Sequence, residues 1–169
     1  MGYDAPILVG LDESDAAAEA LRWAAWQSSR TAAPVVAVHA YCPDPDLRDR
    51  PEGRKAEENL VRARATQWIR NALSEDGAVP WRTHLAVVEG SPSQVLAERS
   101  DEAGMLVVGA SVPTAAVPRA RAGSLSASLR ATSTCPVVSV PPPRPNRAGA
   151  PVARLPRGLA RVPGTTART

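Results

Sequence analysis

Two stretches of this 169-residue chain carry residue types that could meet a ligand. The first is Gly10-Leu11-Asp12-Glu13-Ser14, which closes the apolar run Pro6 to Leu11. An acid at the tip of a strand can accept hydrogen bonds from a ribose or a base, and it can equally cap the helix that follows. The second opens at Val107-Val108-Gly109-Ala110-Ser111 and closes at Gly123-Ser124-Leu125-Ser126. The first amides of a helix lack internal acceptors and its dipole favours an anion. A glycine at a strand end, a loop and then Gly-Ser at a helix N-terminus therefore have the form of a phosphate cradle. The same residues also read as a plain turn and an N-cap serine. Arg119 and Arg121 in the intervening loop either add positive charge toward phosphates or are simply solvated.

Catalytic chemistry has weaker footing. His39 and His84 both fall in expected strands, and the chain has neither G-x-S-x-G nor H-E-x-x-H. No carboxylate pair stands at a spacing that suggests acid/base work, so we assign no catalytic residue and expect a protein that is not an enzyme. Cys42 and Cys135 lie far apart, each before a proline, and form no C-x-x-C or Cys/His cluster. Two buried, inert thiols are expected rather than a zinc site or a disulfide. A Ser-Gly-Gly phosphate loop after the first strand, as in ATP pyrophosphatases, is replaced here by Leu11-Asp12-Glu13-Ser14. A phospho-receiver would need an Asp closing the third strand and a Lys closing the fifth, whereas the third closes in Val88-Glu89-Gly90 and the only lysine is Lys55. Trp23 and Trp26, on an expected helix, are read as packing or interface residues rather than a base-stacking platform.

The elements that must hold these residues follow from hydrophobic pattern. Pro6 to Leu11, Pro34 to Ala40, Thr83 to Val88, Met105 to Gly109 and Pro136 to Val140 are continuous Val/Ile/Leu runs with little polar alternation, the mark of strands covered on both faces. Between them, Ser14 to Arg30 offers the inward stripe Ala17, Leu21, Ala24 and Ser28, with Asp15 and Glu19 near its start. Glu52 to Leu73 places Val61, Ala65, Trp68 and Ala72 on one face, and Glu58 is spaced to pair with Arg62. Ser91-Pro92-Ser93-Gln94 reads as a capping box opening a helix to about Ser100, and Gly123-Ser124 opens a last helix carrying Leu125 and Leu129. Strands alternate with helices, and right-handed crossovers then give a Rossmann-like doubly wound parallel sheet. We expect strand order 3-2-1-4-5, with ligands outside the carboxyl ends of strands one and four.

Composition agrees with one soluble domain: 44% hydrophobic and 22% charged residues, with aromatics at 4% and no Phe, so Ala, Val and Leu must form the core. The formal charge of +3 is unevenly spread. Residues 141–169 hold Arg144, Arg147, Arg154, Arg157, Arg161 and Arg168 and no acid, so removing their +6 leaves −3 on the rest. We therefore expect an α/β domain over residues 1–140 and a Pro/Arg-rich disordered tail over 141–169. The basic residues form no aromatic-interleaved patch, the apolar runs are too short for a membrane span, and the N-terminus lacks a signal pattern. A cytoplasmic protein, binding neither nucleic acid nor membrane, is expected.

ILVGLDES with ALRWAAWQ, then PVVAVHA, EGSPSQVLAE, MLVVGAS and GSLSASLRATSTCPVVSV, resembles the universal stress protein (UspA) family in order and spacing, from Ile7 to Val140. The resemblance implies a stress-response regulator that binds ATP, with magnesium. It implies that Gly10 and Asp12 face adenosine, that Ala40 offers backbone groups to adenine, and that Gly109, Ala110, Gly123, Ser124 and Ser126 line the phosphates. It also implies a homodimer through Pro136 to Val140, an uncharged edge strand open to pairing. Family members that hold ATP show Gly, two residues, Gly, nine residues, then Gly-Ser or Gly-Thr. Here Val112 replaces the second glycine, and ten residues, Pro113 to Ala122, separate it from Gly123. Valine cannot adopt a glycine-only backbone and puts two methyls where phosphates approach. The alternative expectation is thus a nucleotide-independent family member acting through protein contacts.

Overall fold

Val, Ile and Leu runs bury both faces of a strand only if helices lie on each side, and the computed structural model shows that arrangement. It describes residues 5–47, 49–74, 82–110 and 124–143. The element order is β1 (Ile7–Gly10), α1 (Asp15–Thr31), β2 (Val35–Tyr41), α2 (Pro51–Ser74), β3 (Thr83–Glu89), α3 (Pro92–Arg99), β4 (Met105–Gly109), α4 (Ser124–Thr132) and β5 (Val137–Val140). The five strands form one parallel sheet of order β3-β2-β1-β4-β5, the expected topology with its switch point between β1 and β4.

Two cores flank the sheet. Val9, Val35, Ala37 and Val107 pack with Ala20, Leu21 and Ala24 of α1 and Ala65, Ala72 and Leu73 of α2. On the other face, Leu8, Val38, Leu106 and Val108 meet Val95 and Leu96 of α3 and Leu129 of α4. The stripe expected on α1 is buried as a set: Ala17, Leu21, Ala24 and Ser28. Its alanines let the helix lie close, while Leu21, fully buried, supplies about 2 kcal/mol of apolar burial. Ser28 is tolerated there because its hydroxyl donates to the Ala33 carbonyl at 2.6 Å. The Glu58–Arg62 pair forms on the exposed face of α2 at 2.9 Å.

Strand lengths are unequal, and this shapes the site. β1 stops at Gly10, opposite Val38, whereas β2 continues through His39, Ala40 and Tyr41, paired with Val87, Val88 and Glu89 of β3. Three residue pairs therefore overhang the end of β1 by about 10 Å.

Two local expectations are corrected. Ser91 does not cap α3 in the expected reciprocal way: its hydroxyl donates to Gln94 Oε1 at 2.8 Å and accepts no backbone amide. Two polar side chains at this spacing satisfy each other when the turn brings them closer than either is to a free N–H. Cys42 is exposed rather than buried, because it stands just past the end of β2 where the chain leaves the sheet. His84, near the start of β3 as its expected strand placement implies, is exposed. The expectations for Val112, Pro113, Arg119, Arg121 and Gly123, and for the tail beyond Pro143, lie outside the described residues.

Candidate functional site

β1 leads to α1 on one face of the sheet and β4 precedes α4 on the other, so Gly10 to Asp12 and Gly109–Ala110 border the crevice expected at the switch point. On the β1 side the chain is pinned. Leu11 N–H donates to the Val38 carbonyl at 2.9 Å, and the Leu11 carbonyl accepts from His39 Nδ1 at 2.8 Å. A carbonyl can only accept, so Nδ1 carries the proton. The His39 ring also meets Trp68 of α2 edge to face, with centroids 5.1 Å apart. His39 thus fixes the residue that precedes Asp12. Sequence pattern marks His39 only as a strand histidine, because its partners Leu11 and Trp68 are remote along the chain.

Asp12 is exposed at the strand tip. Its Oδ1 accepts from both the amide (2.9 Å) and the hydroxyl of Ser14. Ser14 is the N-cap of α1, its Oγ accepting from Ala17 N–H at 3.1 Å. Asp12 therefore braces the cap, and the helix-capping half of the sequence expectation is realised. The same bracing holds the carboxylate at the crevice edge.

Gly10 and Ala40 share the face covered by α3 and α4. A Cβ on Gly10 would meet Leu96 and Val108 at 3.0 and 3.2 Å, and Ala40 packs against the same apolar cluster. Ala40 also lies on the overhang, where a small side chain leaves the backbone of β2 accessible. His39 points the opposite way, toward α2. Behind the Asp12 loop, between α1 and α2, a cleft of about 250 Å³ is bounded by Asp12, Asp15, Ala18, Trp68 and Asn71, on the side away from Ala40.

On the β4 side, Gly109 lies against the first turn of α1, with Ala16 directly over it. Ala110 N–H donates to the Val140 carbonyl at 2.6 Å, so this amide is engaged by β5 rather than open to a ligand. Ser124 is the first residue of α4, and Ser126, the third, is buried. Gly10, Asp12, Ala40, Gly109 and Ala110 are thus gathered at the carboxyl end of the sheet, with α4 on the face that Gly10 and Ala40 share. Among the described residues no group of three or more His, Cys, Asp or Glu could hold a metal ion. No helix among them is long and apolar enough to cross a membrane.

At the overhang's outer corner, Glu89 pairs with Arg54 and accepts from the Tyr41 hydroxyl at 3.5 Å. Burial, followed by the Glu89 carboxylate, raises the Tyr41 phenol above its usual range.

Comparison with known proteins places this architecture. The model of the universal stress protein family matches residues 5–141, and the chain belongs to that family. A universal stress protein solved in complex with cAMP shares 25% identity, with 82% of this chain covering 98% of that one at a TM-score of 0.58. A universal stress protein from Archaeoglobus fulgidus in complex with dAMP shares 24% identity, 83% and 99% coverage and a TM-score of 0.57. UspA from Lactobacillus plantarum shares 22%, with 81% and 97% coverage and a TM-score of 0.59. The last two show likeness of fold. No curated protein matches the chain by sequence.

Proposed function

We propose that this chain is a cytoplasmic stress-response regulator that binds an adenine nucleotide, ATP with magnesium, across the carboxyl ends of β1 and β4. The observation that carries the reading is Asp12: Ser14 holds its carboxylate at the tip of β1, beside the overhang that presents Ala40. A fixed acceptor next to free strand-end backbone suits a ribose and a base. The nucleotides held by the cAMP and dAMP relatives support the same ligand class.

The residues fit the two halves of ATP unequally. Asp12, Gly10 and Ala40 suit adenosine. For the phosphates, the described residues supply the first turn of α4 at Ser124 and Ser126 and the strand end at Gly109, while the Ala110 amide is taken. Magnesium would be carried by the phosphates, since it is commonly held through substrate oxygens and few protein carboxylates. The role of the protein is to bind and orient; we assign it no catalytic group.

The engaged Ala110 amide, together with Val112 at the glycine position of the family pattern, favours the second reading, a family member that works through protein contacts alone. Titration calorimetry of the nucleotide-stripped full chain separates the two. Micromolar binding with ATP preferred over AMP, weakened at least tenfold by Asp12→Ala, is the expected result. Absence of binding at millimolar ATP would leave the contact-only reading. In either case we propose that the uncharged edge strand β5 pairs with a second copy, giving a homodimer. Residues 1–140 would form the α/β domain and 141–169 a separate tail.

A further inference from the structure

β5 is fastened unequally at its two ends. At its start, Thr134 N–H donates to the hydroxyl of buried Ser100 at 3.0 Å, and Thr134 Oγ1 donates to Asp101 Oδ1 at 2.9 Å. The Leu106 amide then donates to the Pro136 carbonyl at 2.9 Å. In mid-strand the Ser139 hydroxyl accepts from Arg130 of α4 at 3.2 Å. At the far end stands the bond from the Ala110 amide to the Val140 carbonyl, 2.6 Å long. Pro141, Pro142 and Pro143 follow, and without an N–H they cannot extend the ladder. β5 is moreover an edge strand, and all four of its residues are only partly buried.

β4 has no such freedom. It lies between β1 and β5, and Leu106, Val107 and Val108 are buried. Gly109 is closed against the first turn of α1, since a Cβ there would sit 2.8 Å from that of Ala16. The Ala110 amide therefore has a fixed place at the carboxyl end of β4, and its acceptor on β5 is the movable partner. A phosphate oxygen is the stronger acceptor for an N–H, because that bond is charge-assisted whereas the bond to Val140 is neutral.

We propose, on the nucleotide reading given above, that a phosphate oxygen and the Val140 carbonyl compete for the Ala110 N–H, so that a phosphate-bearing nucleotide releases the carboxyl end of β5. The exchange orphans no buried group: the amide keeps an acceptor, and the carbonyl at the partly exposed strand end turns to solvent. The strand then opens from Val140 while the Ser100–Thr134 brace holds its start. Occupancy of the crevice is thereby passed to the sheet edge and to the chain that continues from Pro143. A nucleoside without phosphate has nothing to offer Ala110 and leaves β5 closed.

The test compares ligands on the unaltered full chain, isotopically labelled and followed amide by amide by NMR. Saturating ATP with magnesium should shift the Ala110 signal while that amide stays protected from exchange. The Val140 N–H faces β4 as its carbonyl does, and its exchange should quicken about tenfold, the mark of local opening. Saturating adenosine should do neither, and Val107 in the centre of the sheet should be unaffected by both ligands. ATP bound with the Ala110 and Val140 signals unmoved would overturn the competition and leave the nucleotide reading standing. Equal opening with adenosine would overturn it too, since phosphate would not be the trigger. Binding of neither ligand would overturn both.

Discussion

Gly109 and Ala16 meet across the space a side chain would fill: a Cβ built on Gly109 would sit 2.6 Å from the Ala16 carbonyl carbon and 2.8 Å from its Cβ. Both atoms belong to the first turn of α1, so neither can swing aside as a flexible side chain could. The first glycine of the nucleotide pattern therefore has a packing reason of its own. We predict that Gly109→Ala lowers stability by about 1–3 kcal/mol, read as the urea midpoint without nucleotide. An unchanged midpoint would assign the glycine to the ligand alone.

His39 is predicted to act by positioning Asp12. Replacing it with Phe keeps an aromatic edge for Trp68 but leaves the Leu11 carbonyl without its donor. His39→Phe should cost about 1 kcal/mol of stability. It should also weaken nucleotide binding while His84→Phe, at an exposed site, does neither. Equal effects of the two variants would refute the positioning role.

α1 ends on Ala32 at φ 63°, a left-handed conformation that closes the helix through its N–H to the Ser28 carbonyl. Glycine adopts this conformation without steric cost. Ala32→Gly is expected to stabilise the protein by about 0.5–1 kcal/mol, visible as a higher melting temperature. A lower one would mean that the exposed methyl makes a contact of value.

Much of this architecture was legible because its signals are local. The unbroken apolar runs announced a sheet covered on both faces, and Ala17, Leu21, Ala24 and Ser28 announced the buried side of α1. The alternation of strands with helices then left one strand order. What local pattern could not show are bonds between distant residues: His39 to Leu11, Arg22 to Ala72, Gly109 against Ala16. Each joins a side chain or a missing side chain to backbone elsewhere, with no spacing rule to betray it. Ser91 failed in the opposite way, since its local pattern was right for a cap but its hydroxyl found Gln94 instead. At the site, Asp12 and Gly109 stood out in the sequence, whereas the reasons they are held where they are did not.

The two thiols should react unequally. Cys42 is exposed, while burial raises the Cys135 thiol above its ordinary 9.0. At pH 8 an alkylating reagent should modify Cys42 first, as followed by peptide mass. The same shift has a sign for stability: the unfolded chain loses the Cys135 proton before the folded one does. Its contribution is thus full below pH 9 and is lost as pH rises through the higher folded value. Cys135→Ala should flatten the stability profile in that alkaline window. Faster labelling of Cys135 would contradict the burial argument.

Sedimentation equilibrium of the intact protein should give twice the chain mass at micromolar concentration if β5 pairs with a second copy. A monomer at that concentration would remove the edge strand from consideration as an interface.

On the proposed nucleotide reading, the overhang of β2 and β3 beyond β1 would divide the labour of recognition between unequal partners. One bank of the crevice is hydrogen-bonded sheet through Tyr41 and Glu89, and the other is the short connection from Gly10 to Ser14. Ala40 stands on that first bank at the margin of the α3–α4 core, only partly buried, so exchanging it would alter what a guest encounters while disturbing the packing less than a change at fully buried Val38. Selectivity can therefore drift at a single position while the scaffold stays the same.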